Sequence, residues 1–182
     1  METTASASPS SVAIKWTIFS FLTSIILTYV FQFAGIGQTS SLKYITFIPY
    51  IAFLFLAQKE FRDRSGGFMT YGQGFMTGFL FAVFTAILTT IFIYIYYTML
   101  SPGTYDEIVK STKDQMMAKG LDEETAAKMT ATYASVTFLT IATLLGGVIT
   151  GTIISLIGAA IFKKERTAAD ILRQDENYSD PA

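Results

Sequence analysis

The sequence predicts an all-α, polytopic membrane protein with four transmembrane helices and an amphipathic extramembrane helix between the third and the fourth. The 182 residues are 51% hydrophobic and 15% charged, which is more apolar and less charged than soluble proteins. The segment Phe75 to Leu100 has 26 residues without a charge, or roughly 39 Å of helix against a bilayer core of about 30 Å. Three other apolar runs, about residues 14–34, 42–58 and 134–162, predict the remaining spans.

The chain begins with a segment that we expect to be a disordered tail. Residues 1–11, METTASASPSS, are small and polar and lack the basic start of a secretory signal. Lys15 and Trp16 then stand at the head of the first span, where a cation and an indole suit the headgroup region. Residues 12–165 are therefore predicted to form the transmembrane domain.

The second span is short. Its apolar part, Leu42 to Ala57, corresponds to about 24 Å of helix, so flanking residues must reach the headgroups for it to cross. Pro49 predicts a kink, since its ring removes one backbone hydrogen bond. Such a kink is compatible with simple packing and with a transporter hinge.

A basic, glycine-rich connection follows. Its spacing fits neither GxxxxGK[ST] nor GxGxxG, so we expect membrane-surface contact rather than nucleotide binding. The basic residues are Lys59, Arg62 and Arg64, and the glycines are Gly66, Gly67, Gly72 and Gly74.

Residues 101–132 predict an extramembrane helical excursion. Apolar side chains recur at helical spacing from Thr104 to Lys119, Gly120 should end that helix, and Asp122 can cap the next one. After the fourth span, Lys163, Lys164 and Arg166 form a basic collar, and residues 166–182 read as a polar tail.

The basic residues favour one orientation. Four spans place Lys15, the Lys59–Arg64 cluster and the Lys163–Arg166 cluster on the same side. The positive-inside rule puts that side in the cytoplasm. We therefore predict a multi-pass protein of the cell inner membrane with both termini cytoplasmic.

Small residues recur every four positions on two spans and predict close helix packing. The stripes could face each other, a second copy of the chain or another membrane protein. One stripe holds Gly74, Gly78, Ala82 and Ala86, and the other holds Gly147, Gly151, Ser155 and Ala159.

Several chemistries find no support in the residues present. The chain has no cysteine and no histidine, and no charged residue lies deep in a span, where proton relays and ion-coupled transport need one. The net charge of −1 gives no reason to expect nucleic acid as a partner. We predict no cofactor, no metal and no enzymatic activity. The extramembrane carboxylates Glu107, Asp114, Glu123 and Glu124 lack a convergent base or metal site in sequence.

Three motifs carry a resemblance to a known family: GGFMTYGQGFMTGF at 66–79, SPGTYDEI at 101–108 and KGLDEE at 119–124. With these motifs the chain resembles a bacterial family of small four-helix membrane proteins, domain of unknown function 4199, over roughly residues 12–165. The resemblance implies the topology and no catalytic residues.

Two functional hypotheses follow. The first is a non-enzymatic structural, accessory or assembly component that acts through helix packing, with the lipid bilayer as its surroundings. The alternative is a passive channel or small-solute transporter formed by oligomerisation. Its pore would be lined by hydroxyls of the third span: Thr85, Thr89, Thr90, Tyr94 and Tyr96.

Overall fold

A computed structural model describes residues 8–36 and 41–167 of the chain. The described residues form helices and no β-strand, so the all-α class is confirmed. The helices are α1 (Pro9–Phe33), a 3-10 helix (Ser41–Thr46), α2 (Phe47–Arg64), α3 (Tyr71–Ile95), α4 (Pro102–Ala118), α5 (Glu123–Tyr133) and α6 (Val136–Phe162). A π-helical turn, Tyr96–Leu100, continues α3.

Three of the helices are long and apolar enough to cross a membrane: α1, α3 with its π-helical turn, and α6. The second predicted span, which corresponds to α2, is not long and apolar enough by the same measure. The 18 residues of α2 include Lys59, Glu60, Arg62, Asp63 and Arg64 in their last six positions. Length and composition alone therefore support three spans.

Some element boundaries differ from the sequence-based expectation. The first helix begins at Pro9, inside the predicted 1–11 tail, because proline suits the first turn of a helix. The third begins at Tyr71, four residues before the uncharged run, because Thr70 and Gln73 form a reciprocal capping box. The remaining parts of the predicted tails, residues 1–7 and 168–182, lie outside the described residues.

The bundle has two distinct ends, and α3 contacts α1, α2 and α6 between them. At the end that we call the basic end, Lys15 of α1 and Arg64 of α2 meet on Glu60. At the other end, Gln32 of α1 lies beside Tyr96, and α4 and α5 form a hairpin, so we call it the hairpin end. Thus α1 and α3 run from the basic end to the hairpin end, and α2 and α6 run back.

Candidate functional site

The two small-residue stripes face each other within one chain. A Cβ atom added at Gly74 would lie 3.3 Å from the Cα atom of Ala159, and one added at Gly147 would lie 3.2 Å from the Cβ atom of Ala86. Between these pairs, an added Cβ at Gly78 would overlap Ser155, and one at Gly151 would overlap Ala82. The backbones of α3 and α6 therefore approach closely along this seam, which gains dispersion energy in a lipid environment.

Gln58 of α2 closes the seam near the basic end. Its side chain is fully buried. The Nε2 group donates to the backbone oxygens of Gly74, at 3.0 Å, and Ser155, at 2.9 Å. Ser155 in turn donates its hydroxyl to the backbone oxygen of Phe75, at 2.8 Å. One amide thus ties α2 to α3 and α6 at once.

The Gln58 side chain occupies a notch that only glycine permits. A Cβ atom at Gly158 would overlap the Oε1 atom of Gln58 and would lie 2.9 Å from the ring of Phe55. The Oε1 atom is buried without a hydrogen-bond partner among the described residues. Sequence reasoning missed Gln58 and Gly158. The available signal was an amide directly after an apolar run.

The basic end is held by a carboxylate that several donors share. Glu60 accepts from the Nζ atom of Lys15 at 2.8 Å, the Nε1 atom of Trp16 at 2.6 Å and the Nη2 atom of Arg64 at 2.6 Å. Desolvation raises the pKa of Glu60, but hydrogen bonds from Lys15 and Trp16 and the charges of Arg64 and Lys15 outweigh it, so the pKa is lowered overall. Two of the predicted membrane-surface residues, Lys15 and Trp16, therefore join α1 to α2, and a third, Arg64, pairs with Glu60 within α2.

The other predicted membrane-surface residues lie around the same end. Met69 and Lys164 exchange two backbone hydrogen bonds of 2.8 and 2.9 Å, which joins the glycine-rich loop to the end of α6. Lys164 and Arg166 lie over the ring of Phe68, at 5.4 and 5.3 Å from its centroid. Lys59 and Lys163 are exposed, and Arg62 lies 5.9 Å from the centroid of the Phe162 ring.

The hairpin half of the bundle contains a cleft of about 420 Å³. Helices α1, α2, α3 and α6 all contribute to it, and every polar side chain in its lining bears a hydroxyl group. Its hydroxyl-bearing residues are Ser20, Thr23, Ser24, Thr46, Tyr50, Thr85, Thr89, Thr143 and Thr150, and the others are Leu27, Phe47, Pro49, Ala86, Ala142, Gly146 and Gly147.

The cleft lies beside the first turn of α2, which contributes Phe47, Pro49 and Tyr50 to its wall. Regular α-helix begins only at Phe47, and the preceding 3-10 helix, Ser41–Thr46, reaches the cleft with its last residue. At this level no buried side chain of α2 fills the space between α1, α3 and α6, whereas Leu54, Ala57 and Gln58 of α2 are buried nearer the basic end. The small residues Gly146 and Gly147 leave additional space on the α6 side.

The hydroxyls predicted as a pore separate into two groups. Thr85 and Thr89 line the cleft, whereas Thr90, Tyr94 and Tyr96 do not contribute to it. Tyr94 is exposed, and Tyr96 donates to Gln32 at 3.0 Å. The predicted stripe of five hydroxyls is therefore not a single lining surface.

The extramembrane carboxylates are placed as surface charges. Glu123 pairs with Lys113 and Glu124 with Lys128, at 2.8 and 2.7 Å. Hydrogen bonding and charge from Lys113 lower the pKa of the Glu123 carboxyl. Within residues 8–36 and 41–167, Asp and Glu side chains form no group of three or more that could hold a metal ion.

Comparison with known proteins adds one finding. The model of a family described as "Protein of unknown function (DUF4199)" matches residues 15–164, which include most of α1 and the whole of α2 to α6. The curated proteins contain no match to the chain, and neither do the solved structures.

Proposed function

The chain belongs to the family of proteins of unknown function DUF4199, and we propose that this member is a non-enzymatic accessory or assembly component of the cell inner membrane. The close contact between α3 and α6 carries this proposal, because Gln58 fastens a third helix to the same seam. A bundle whose helices are joined in this way is better suited to a scaffold than to a transporter, in which groups of helices move against each other.

We propose further that α2 is the fourth span and that both termini are cytoplasmic. Phe33 ends α1 near the hairpin end, whereas Tyr71 begins α3 near the basic end, so the intervening chain must travel back. The 18 residues of α2 supply about 27 Å, and the 6 residues of the 3-10 helix about 12 Å. Together they reach about 39 Å, which exceeds the bilayer core of about 30 Å, so the charged last turns of α2 extend into the headgroup region.

Single cysteines test this topology, because the natural chain has none. A membrane-impermeant thiol reagent added to intact cells should label Lys119→Cys in the hairpin. Ser11→Cys and Lys163→Cys should react only after the cells are opened. Opposite sidedness of Ser11→Cys and Lys163→Cys would establish an odd number of spans and overturn the proposal.

The accessory role predicts a position-specific neighbour in the membrane. A photoreactive residue at Ile26 of α1 or Ile149 of α6, whose side chains are 61% and 60% exposed, should cross-link one reproducible protein in native membranes. The same residue at buried Ala82 should capture nothing. The proposal fails if the purified chain alone catalyses turnover or moves solutes across liposomes.

One observation favours the alternative, a small-solute transporter: the hydroxyl-lined cleft. Its walls offer donors and acceptors to an uncharged solute. Flux of glycerol or similar polyols into liposomes above that of empty vesicles would support this function, and equal flux would exclude it.

A further inference from the structure

The cleft opens on the side of the bundle. Ser20 and Thr85 on its inner wall are buried, at 5% and 6% exposure, whereas Phe47 of α2 and Ala142 and Gly146 of α6 are exposed. The opening therefore lies between the beginning of α2 and the hairpin half of α6. Its volume is in the range of ligand sites in proteins, about 300–1,000 Å³.

The surroundings of the opening are apolar. On α6, Ile141, Leu145 and Ile149 flank the rim residues and are 53%, 57% and 60% exposed. A continuous exposed aliphatic surface on a helix long enough to cross a membrane is where hydrocarbon contacts the protein. A molecule entering here would come from the bilayer rather than from water.

The residues that line the cleft determine which class of molecule can bind in it. Among the described lining residues, none is Asp, Glu, Lys or Arg, so a charged group would enter without a counter-ion at high cost. The hydroxyls offer both donors and acceptors. Leu27, Pro49 and Ala86 supply apolar surface for an alkyl chain.

We propose that this cleft binds an uncharged, hydroxyl-bearing glycerolipid that enters laterally between α2 and α6. The glycerol hydroxyl and ester oxygens lie against the threonine and serine side chains. The acyl chains extend through the opening into the bilayer. This site is independent of the accessory role, since it needs no protein partner.

The test uses the full chain in phosphatidylcholine nanodiscs. The probe is a diacylglycerol with a diazirine in one acyl chain, and labelled residues are mapped by mass spectrometry after illumination. We expect labelling to concentrate on cleft residues, to exceed that of a phosphatidylcholine probe with the same acyl chain by about tenfold, and to be competed by unlabelled diacylglycerol.

Two glycines provide a matched pair of variants. A Cβ atom at Gly146 or at Gly72 has no neighbour within 4 Å, and both positions are exposed, but only Gly146 lines the cleft. Gly146→Leu should lower cleft labelling about tenfold, and Gly72→Leu should leave it unchanged. Ala142→Phe, which fills the rim, is a second variant with the same expected loss.

Three results would overturn the proposal. Equal labelling by the phosphatidylcholine probe would identify only lipid surrounding the protein. Labelling unchanged in both Gly146→Leu and Ala142→Phe would place the probe outside the cleft. Competition by glycerol but not by diacylglycerol would assign the cleft to a water-soluble polyol, which also supports the transport alternative.

Discussion

The two halves of the bundle are built from the same helices, but one half is closely packed and the other contains a cleft. Near the basic end, α3 and α6 meet through Gly74, Gly78 and Ser155, and the Gln58 side chain fills the remaining space. Near the hairpin end, the same two helices border a cleft of about 420 Å³. Since Gly147 and Ala86 keep α3 and α6 close there too, the two halves differ in what covers the contact between these helices rather than in the contact itself.

The cause of the difference lies in α2. Nearer the basic end, α2 brings Leu54, Ala57 and Gln58 into the core, all with no exposed surface. The first turn of α2 borders the cleft instead, with Phe47, Pro49 and Tyr50 in its wall. The side chains that α2 places at each level thus distinguish the packed half of the bundle from the half that contains the cleft.

The largest expected effect is overpacking of the closed half. In Gly158→Leu the new side chain overlaps Gln58 and Phe55, so we expect the free energy of unfolding to fall by about 3 kcal/mol. In the open half, Gly146→Leu should change it by about 0.5 kcal/mol or less. Thermal unfolding in detergent measures both. Equal losses would contradict the distinction between the two halves.

A charge at position 58 tests the hydrogen bonds by which the Gln58 amide joins α2 to α3 and α6. In Gln58→Glu, a carboxylate would face the backbone oxygens of Gly74 and Ser155 without a proton to donate, and we expect a loss of about 2 kcal/mol. Gln58→Leu, which removes the hydrogen bonds without adding charge, should lose about 1 kcal/mol. A Gln58→Leu variant as stable as wild type in thermal unfolding at neutral pH would show that the amide does not fasten the helices.

The Glu60 network closes the basic end with a smaller, pH-dependent contribution. Glu60→Gln should cost about 1 kcal/mol at neutral pH, and Asp63→Asn, at a carboxylate that is 53% exposed, should cost less. Since the folded-state pKa of Glu60 lies below its ordinary value of 4.5, its contribution is complete above that value and disappears as the pH falls through the folded-state pKa. The unfolding temperatures of wild type and Glu60→Gln should therefore converge in acid. A constant difference at every pH would rule out an ionic origin.

The smallest effect is expected at the boundary between the halves. The Tyr50 hydroxyl is buried beside Gly151 and has no hydrogen-bond partner among the described residues. Tyr50→Phe should therefore change the free energy of unfolding by about 0.5 kcal/mol or less, with a gain in stability as the favoured direction. A loss above about 1 kcal/mol would mean that this hydroxyl has a partner in the folded protein.

Hydropathy and local signals predicted much of the fold. The uncharged runs identified α3 and α6, Gly120 and Asp122 marked the turn between α4 and α5, and spacing by four identified the small-residue stripes. These features depend on neighbours in sequence. Gln58 was missed because an amide beside charged residues looks like the end of a helix, and its burial depends on residues about 16 and 97 positions away.

By itself, the sequence determined an apolar, all-helical protein with no charge deep in a predicted span, because periodicity and hydropathy are local properties of the chain. Only the tertiary structure decided that the two stripes pack against each other, that Glu60 gathers Lys15, Trp16 and Arg64, and that a hydroxyl-lined cleft opens beside α6. Which helices pack together, and where a cleft remains, depends on the level of the bundle at which each helix lies. That level is set by contacts between residues far apart in the chain.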